Sequence, residues 1–279
     1  MKPAGTRNFF FTSRAAEWYS KKQNKKGMID MYTDRPTLKR NAKTIIKTAR
    51  PSLLTASVIF LAVYLVLNTL RGKVLGVNIS YDEMRQYMNY YMNGDYQALI
   101  RVSQSMTPPG TAYLINAMIA VVLYIFGAGF LIFIFNTVKN VGAVYGNLLD
   151  GFALAGKLIL LALLEGLFIF LWTLLFIIPG IIAAYRYRMA KFLLLDHPEM
   201  AVTDCLRTSK QMMKGHKWEC FVLDLSFIGW WILNAIPYVG YAVMVWTTPY
   251  INTTYVLYYM ALAGKPVIVN PAPGGASYM

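Results

Sequence analysis

Two segments, Trp172-Thr-Leu-Leu-Phe-Ile-Ile-Pro179 and Trp230-Trp-Ile-Leu-Asn-Ala-Ile-Pro237, each set a tryptophan seven residues ahead of a proline inside an apolar run. One acid stands upstream of each, Glu165 in the first and Asp224 in the second. Apolar sequence resumes after both prolines, so residues 158–262 read as one hydrophobic hairpin written twice. Lipid offers no partner to an open N–H or C=O, so apolar runs of this kind cross a bilayer as helices. The expected fold is all-α: a polytopic membrane protein of about six transmembrane helices with two repeated amphipathic-helix-plus-hairpin units.

Outward from the hairpins, the runs at 53–70 and 111–135 supply the first two expected spans, with 158–178 as the third. Pro179-Gly180 is the expected first turn. The fourth segment, 181–195, carries Arg186, Arg188 and Lys191, and either spans fully or lies tilted and half inserted. Segments 221–236 and 241–262 complete the six, with the second turn at 237–240.

Charge segregation sets the expected orientation. Hydrophobic residues make up 57% of the chain and charged residues 14%, against roughly a quarter charged in soluble domains. Residues 1–52 hold thirteen Lys/Arg against three acids, Glu17, Asp30 and Asp34. Such a basic flank ahead of a first span predicts a cytoplasmic N-terminus, and six spans return the C-terminus to the same side. The loops agree: residues 71–110, expected outside, hold four Lys/Arg, and the expected inside segments hold twenty. A basic segment can also serve nucleic acid, but orienting a membrane protein is its ordinary role, so no nucleic-acid partner is expected. No signal peptide is expected, since the first apolar run begins only near Leu53. Cys205 and Cys220 both fall on the expected cytoplasmic side and are read as free thiols.

The connecting segments carry helical periodicity of their own. Over residues 35–47, Leu38, Ala42, Ile45 and Ile46 recur among Lys39, Arg40, Lys43 and Lys47, the pattern of a basic amphipathic helix at the inner membrane surface. A second such helix is expected after Asp196-His-Pro198-Glu199, with Asp196 as N-cap and Pro198 in its first turn. Its apolar stripe is Val202, Cys205, Leu206, Ser209 and Met213, its basic residues are Arg207, Lys210, Lys214 and Lys217, and Gly215 ends it. A weaker counterpart covers 138–155. The outer loop, 71–110, is rich in Tyr and Met and reads either as a short helical pair at headgroup level or as a binding cap. The domain reading is a basic, mostly disordered extension (1–33), a membrane domain (34–263) and a Pro/Gly-rich cytoplasmic tail (264–279).

Enzyme signatures are sparse. His197 and His216 are the two histidines, with no Cys or carboxylate at metal-ligand spacing, and no nucleophile-elbow, Walker or dinucleotide motif occurs. No catalytic residue, metal or cofactor is expected. The intramembrane charges carry more information, because each costs about 2.5–3.5 kcal/mol at mid-bilayer without a partner or a wet cavity. At 1.5 Å per residue, Glu165, Asp224 and Lys191 lie about 21, 20 and 18 Å from their turns, a shared level, with Arg188 somewhat shallower. Glu165, Asp224, Lys191 and Arg188 are therefore expected to form a polar cluster. It is either a proton or ion relay or headgroup site, or a neutral clasp that registers the hairpins. The last segment adds Thr247, Thr248, Pro249 and Asn252: a kinked, polar-lined helix facing a cavity, or ordinary small-polar packing.

Several motifs carry a resemblance. These are Arg35-x-x-Leu38-Lys39-x-x-Ala42-Lys43, Phe176-Ile-Ile-Pro179-Gly180, Asp196-x-Pro198, Met212-x-Lys214-Gly215-His216-Lys217-Trp218, Asp224-Leu-Ser226-Phe227-Ile228-Gly229-Trp230 and Pro249-Tyr250. Over residues 34–263 the chain resembles an uncharacterised, domain-of-unknown-function family of multi-pass membrane proteins, chiefly from Gram-positive bacteria. It is similar, more faintly, to the membrane domain attached to some glycerophosphodiester phosphodiesterases. The resemblance implies a bacterial plasma membrane address and no activity. The leading expectation is a non-enzymatic integral membrane protein that transports or senses a small solute or lipid, as a homodimer or with a partner subunit. The alternative is an interaction or envelope-organising protein whose basic helices bind anionic lipid headgroups. A membrane enzyme acting on lipid ranks third.

Overall fold

The Asp34 carboxylate accepts the Thr37 backbone N–H at 3.3 Å, and Pro36 occupies the first turn, where no intrahelical N–H bond is lost. These two residues start α1 (Arg35–Thr48), which buries Leu38, Ala42, Ile45 and Ile46 and exposes Arg40, Lys43 and Lys47. The computed structural model describes residues 33–74, 81–105, 110–236, 239–265, 267–269 and 276–278. Residues 1–32 of the basic N-terminal extension and Pro237 lie outside them.

Three helical stretches are long and apolar enough to cross a membrane: α2 (Leu53–Val74), α5 (Gly110–Lys139) and Tyr145–Leu175. Between the first two sit α3 (Tyr81–Met92) and α4 (Tyr96–Ser105), the short helical pair of the Tyr/Met-rich loop. The third stretch joins a 3-10 helix (Tyr145–Leu154) to α6 (Ala155–Leu175). Only 11% of the most apolar window of this third stretch is buried, and Leu163, Leu167, Phe170 and Leu174 point outward. Contiguous apolar exposure on that scale suits hydrocarbon rather than water.

Three local expectations need correction. Residues 138–155 do not form a free surface helix: the 3-10 helix lies on α5, where a Cβ at Gly129 or Gly151 would overlap the carbonyl of Leu148 or Ile125. The two backbones touch at bare glycines, and that close approach holds the segment down. The first hairpin turns at Phe176, whose backbone is extended (φ −159°, ψ 148°), ahead of Pro179-Gly180. Pro179 then falls in the first turn of α7 (Ile177–Tyr187), and Gly180 lets α6 and α7 close, because a Cβ there would overlap Thr173. Asp196 is not an N-cap but the last residue of α8 (Ala190–Asp196); α9 (Val202–Met212) begins six residues later behind Ala201. In the C-terminal tail β1 (Val267–Val269) and β2 (Ala276–Tyr278) pair antiparallel, with Val267 opposite Tyr278.

The two hairpin copies also differ. In the first, the returning limb is broken at Arg188-Met189, between α7 and α8. In the second, the leading limb is broken at Ser226-Phe227, between α10 (Lys217–Leu225) and α11 (Ile228–Asn234), and the returning α12 (Val239–Leu262) runs through Pro249. The core is concentrated at one end of the bundle. There the C-terminal halves of α5 and α12 bury Phe130, Phe133, Tyr258 and Tyr259 against α1, α8 and α9. At the other end Leu114, Met118, Val239 and Tyr241 are exposed. The α6–α7 hairpin packs closely on itself and only lightly against α5.

Candidate functional site

A helix break leaves backbone groups without their intrahelical partners, and those groups must be satisfied from outside. At the α7–α8 break the supplier is Ser209 of α9, fully buried in what the periodicity had marked as an apolar stripe. Its Oγ accepts the Met189 N–H at 3.1 Å and donates to the Arg186 carbonyl at 3.0 Å. This clasp fixes the turn that carries Arg188 and starts the helix that carries Lys191.

Arg188 reaches Asp224 on α10, Nη2 to Oδ1 at 3.0 Å, and lies 4.9 Å above the ring of Tyr255 on α12. Asp224 is buried, and it also accepts the Tyr185 hydroxyl at 2.8 Å and the Tyr255 hydroxyl. One carboxylate thus joins both hairpins with three donors, which take three of its roughly four acceptor sites.

Beside this node is a partly open cavity of about 420 Å³ between α6 on one side and α5 and α12 on the other. Glu165, Arg188, Lys191 and Asn252 line it, along with Tyr124, Trp231 and Tyr255. Lys191 Nζ stands 4.2 Å above the Tyr124 ring. Among the described residues, neither Glu165 nor Lys191 makes an ion pair, and Glu165 makes no hydrogen bond. The four charges marked in the sequence therefore divide into a closed pair, Arg188–Asp224, and an open pair, Glu165 and Lys191, facing the cavity.

On α12, Asn252 donates to the Thr248 carbonyl at 2.8 Å, and Thr247 bonds the Val243 carbonyl at 3.1 Å and the Asn234 side chain. None of these bonds goes to the Val245 carbonyl that Pro249 leaves without its N–H donor, so re-satisfying that carbonyl is not their role. Thr247 instead ties α12 to α11, and Asn252 alone of the four faces the cavity.

The second break is met by α1. Lys39 Nζ donates to the Ser226 carbonyl at 2.9 Å and sits 4.4 Å from the Phe227 ring centroid. Phe227 in turn abuts Tyr250 and Tyr255, so an aromatic wall separates the inner cavity from a second cleft of about 420 Å³. Lys39, Arg40, Lys43 and Lys47 line that cleft with Pro36, Thr44 and Tyr250. Burial and the neighbouring Arg35 and Lys43 pull the Lys39 ammonium below the ordinary lysine range. Arg207 and Lys210 on α9, and Lys214 beyond it, are exposed and line neither cavity; Lys217 opens α10 half-buried.

One node had no reading as such in the sequence. Asp196, its side chain 1% exposed, binds Lys139 from α5, accepts the Tyr259 hydroxyl at 2.8 Å and lies 3.4 Å from His197 Nε2. Burial pushes its carboxyl up, but the bonds from Lys139 and Tyr259 outweigh this and hold it below the usual carboxylate range. The available signal was Tyr255 and Tyr259, four apart and so on one helix face, each aimed at a different aspartate. Among the described residues no group of three or more His, Cys, Asp or Glu is placed to hold a metal, and Cys205 and Cys220 are buried free thiols.

Fold and cavity together define a predominantly helical protein with helices long and apolar enough to cross a membrane, and with charged side chains that share a cavity. Within that class the chain belongs to the family described as "Protein of unknown function (DUF975)", whose model matches residues 28–265. Comparison with curated proteins and with solved structures finds no match.

Proposed function

We propose that this protein is a non-enzymatic, six-span integral membrane protein of the bacterial plasma membrane whose central cavity binds a small solute or lipid for transport or sensing. One observation carries the reading: among the described residues Glu165 and Lys191 face a shared cavity without a direct ion pair, while Arg188 and Asp224 beside them are paired. Charges held at mid-membrane cost several kcal/mol unless water, a partner or a ligand compensates them. A purely structural clasp would have closed all four on one another. The broken helices around the cavity add support, since interrupted helices frame midplane sites in many transporters. The resemblance to Gram-positive membrane proteins, and the fainter one to phosphodiesterase-attached membrane domains, supports the address. Charge segregation supports cytoplasmic termini. Six helices are few for a transporter, so a homodimer or partner subunit completes the reading.

The test is thiol accessibility in intact cells, using single cysteines at positions 165, 191, 224 and 252 in a background lacking Cys205 and Cys220. Labelling at 165, 191 and 252 by a small water-soluble reagent, with 224 slower, is the expected result. Protection at all four in a folded, inserted protein replaces the cavity with a dry clasp.

The basic cleft on α1 favours a second reading, an interaction or envelope-organising protein that grips anionic lipid headgroups through Lys39, Arg40, Lys43 and Lys47. Normal physiology in a Glu165→Gln, Lys191→Gln double variant, with loss in a Lys43→Gln, Lys47→Gln variant, would select it.

A further inference from the structure

Resting on the cavity reading above, we infer that the ligand is a zwitterion with an apolar body, its ammonium on Glu165 and its carboxylate or phosphate on Lys191. The argument is one of charge balance. Arg188 already has Asp224, whereas Glu165 and Lys191 attract each other but stand beyond direct ion-pair distance, so among the described residues each keeps a side open to the cavity. A neutral ligand displaces water from both and leaves them only their attraction at a distance, and a singly charged ligand compensates one. A ligand bearing both signs compensates both, at no net charge to the membrane.

The remaining lining fits the same molecule. Asn252 gives one of its two amide N–H groups to the Thr248 carbonyl, and its side-chain oxygen accepts no hydrogen bond among the described residues, which leaves it as a second acceptor for an ammonium. Leu131, Phe192, Trp231 and Ile251 supply apolar wall. A volume of about 420 Å³ lies within the range of small-molecule sites, roughly 300–1,000 Å³.

Two sources share this chemistry. One is a free apolar α-amino acid. The other is the headgroup of an aminophospholipid entering between α5 and α6, whose flanks expose Met118, Val122, Leu163 and Leu167.

The experiment is isothermal titration of the full-length protein in non-ionic detergent with two probe sets. The first is leucine with its singly charged relatives, 3-methylbutylamine and 4-methylpentanoate. The second is lyso-phosphatidylethanolamine with lyso-phosphatidic acid, which lacks the amine. At least tenfold preference for a zwitterion over its singly charged relatives is expected, and the set in which it appears identifies the source. Glu165→Gln should shift the preference to the anion of that set. Lys191→Gln should favour 3-methylbutylamine over 4-methylpentanoate, and Lys191→Arg, which keeps the charge, should retain the zwitterion.

Equal binding of singly charged and zwitterionic probes, or variants that leave the preference unchanged, overturns the zwitterion and leaves the cavity standing. So does the absence of binding by every probe when positions 165 and 191 label freely. Protection of the whole cluster from thiol reagents removes the cavity and this inference together. Size-exclusion profiles and helical circular dichroism of each variant establish that it is folded; if Lys191→Gln fails this check, Glu165→Gln and Lys191→Arg carry the comparison.

Discussion

At Asp196 a carboxylate takes a lysine from α5 and the Tyr259 hydroxyl from α12; one helical turn back along α12, Asp224 takes Arg188 and the Tyr255 hydroxyl. The parts are the same, and the surroundings differ. Asp196 is 1% exposed at the tight end of the bundle, with His197 and Lys265 also close by. Asp224 is 11% exposed by side chain, and its partner Arg188 lines the cavity at 37%. One node is packed shut and reads as architecture. The other has an open pair of charges beside it and reads as a site. Chemical composition alone does not separate a clasp from a binding residue; what separates them is whether every charge has its complement within the fold.

The largest way to break this comparison is Asp196→Ala. It leaves the Lys139 ammonium and the Tyr259 hydroxyl without their acceptor, and removing one partner of a buried pair costs about 3–5 kcal/mol. Chemical unfolding in detergent micelles should show that loss, and an effect below that of Asp224→Ala would invert the assignment of roles.

Ser209→Ala comes next. It strips the α7–α8 break of both its bonds, for about 1–3 kcal/mol. It should also loosen Arg188, so binding weakens along with stability, and a variant as stable as the parent would show that the break is satisfied some other way.

Acid sharpens the contrast. The Asp196 carboxyl is held below its ordinary range when folded, so its stabilisation is complete above the unfolded value of about 3.9. It is lost as pH falls through the depressed folded value. Melting temperature followed from pH 7 to pH 3 should drop more in the parent than in Asp196→Asn, which lacks the titration.

The smallest loss of stability belongs to Glu165→Gln, which should be no less stable than the parent, because it breaks no direct ion pair or hydrogen bond among the described residues and removes a charge from the span. A destabilisation of the size seen for Asp196→Ala would mean Glu165 is structural, and the open site would be given up.

The apolar face of α1 was legible to the residue, because a helix that buries one stripe must repeat it every three to four positions; Leu38, Ala42, Ile45 and Ile46 do so and are buried. The same holds for Val202, Cys205 and Leu206 on α9. Legibility stopped where the partner was remote. Ser209 lies 23 residues from the Arg186 carbonyl it caps, Lys39 lies 187 from Ser226, and Tyr259 lies 63 from Asp196. Asp196-His-Pro looks like a helix start because local chemistry favours a cap there, and the tertiary bonds to Lys139 and Tyr259 override it.

By itself, then, the sequence determined which stretches are apolar helices, which faces they bury and which charges lie among them, since hydropathy and a 3.6-residue period are local properties. Tertiary structure decided where those helices break and which charges pair. A broken helix is stable only when a distant side chain takes up its freed backbone groups, and a buried charge is closed only when the fold brings its opposite within reach.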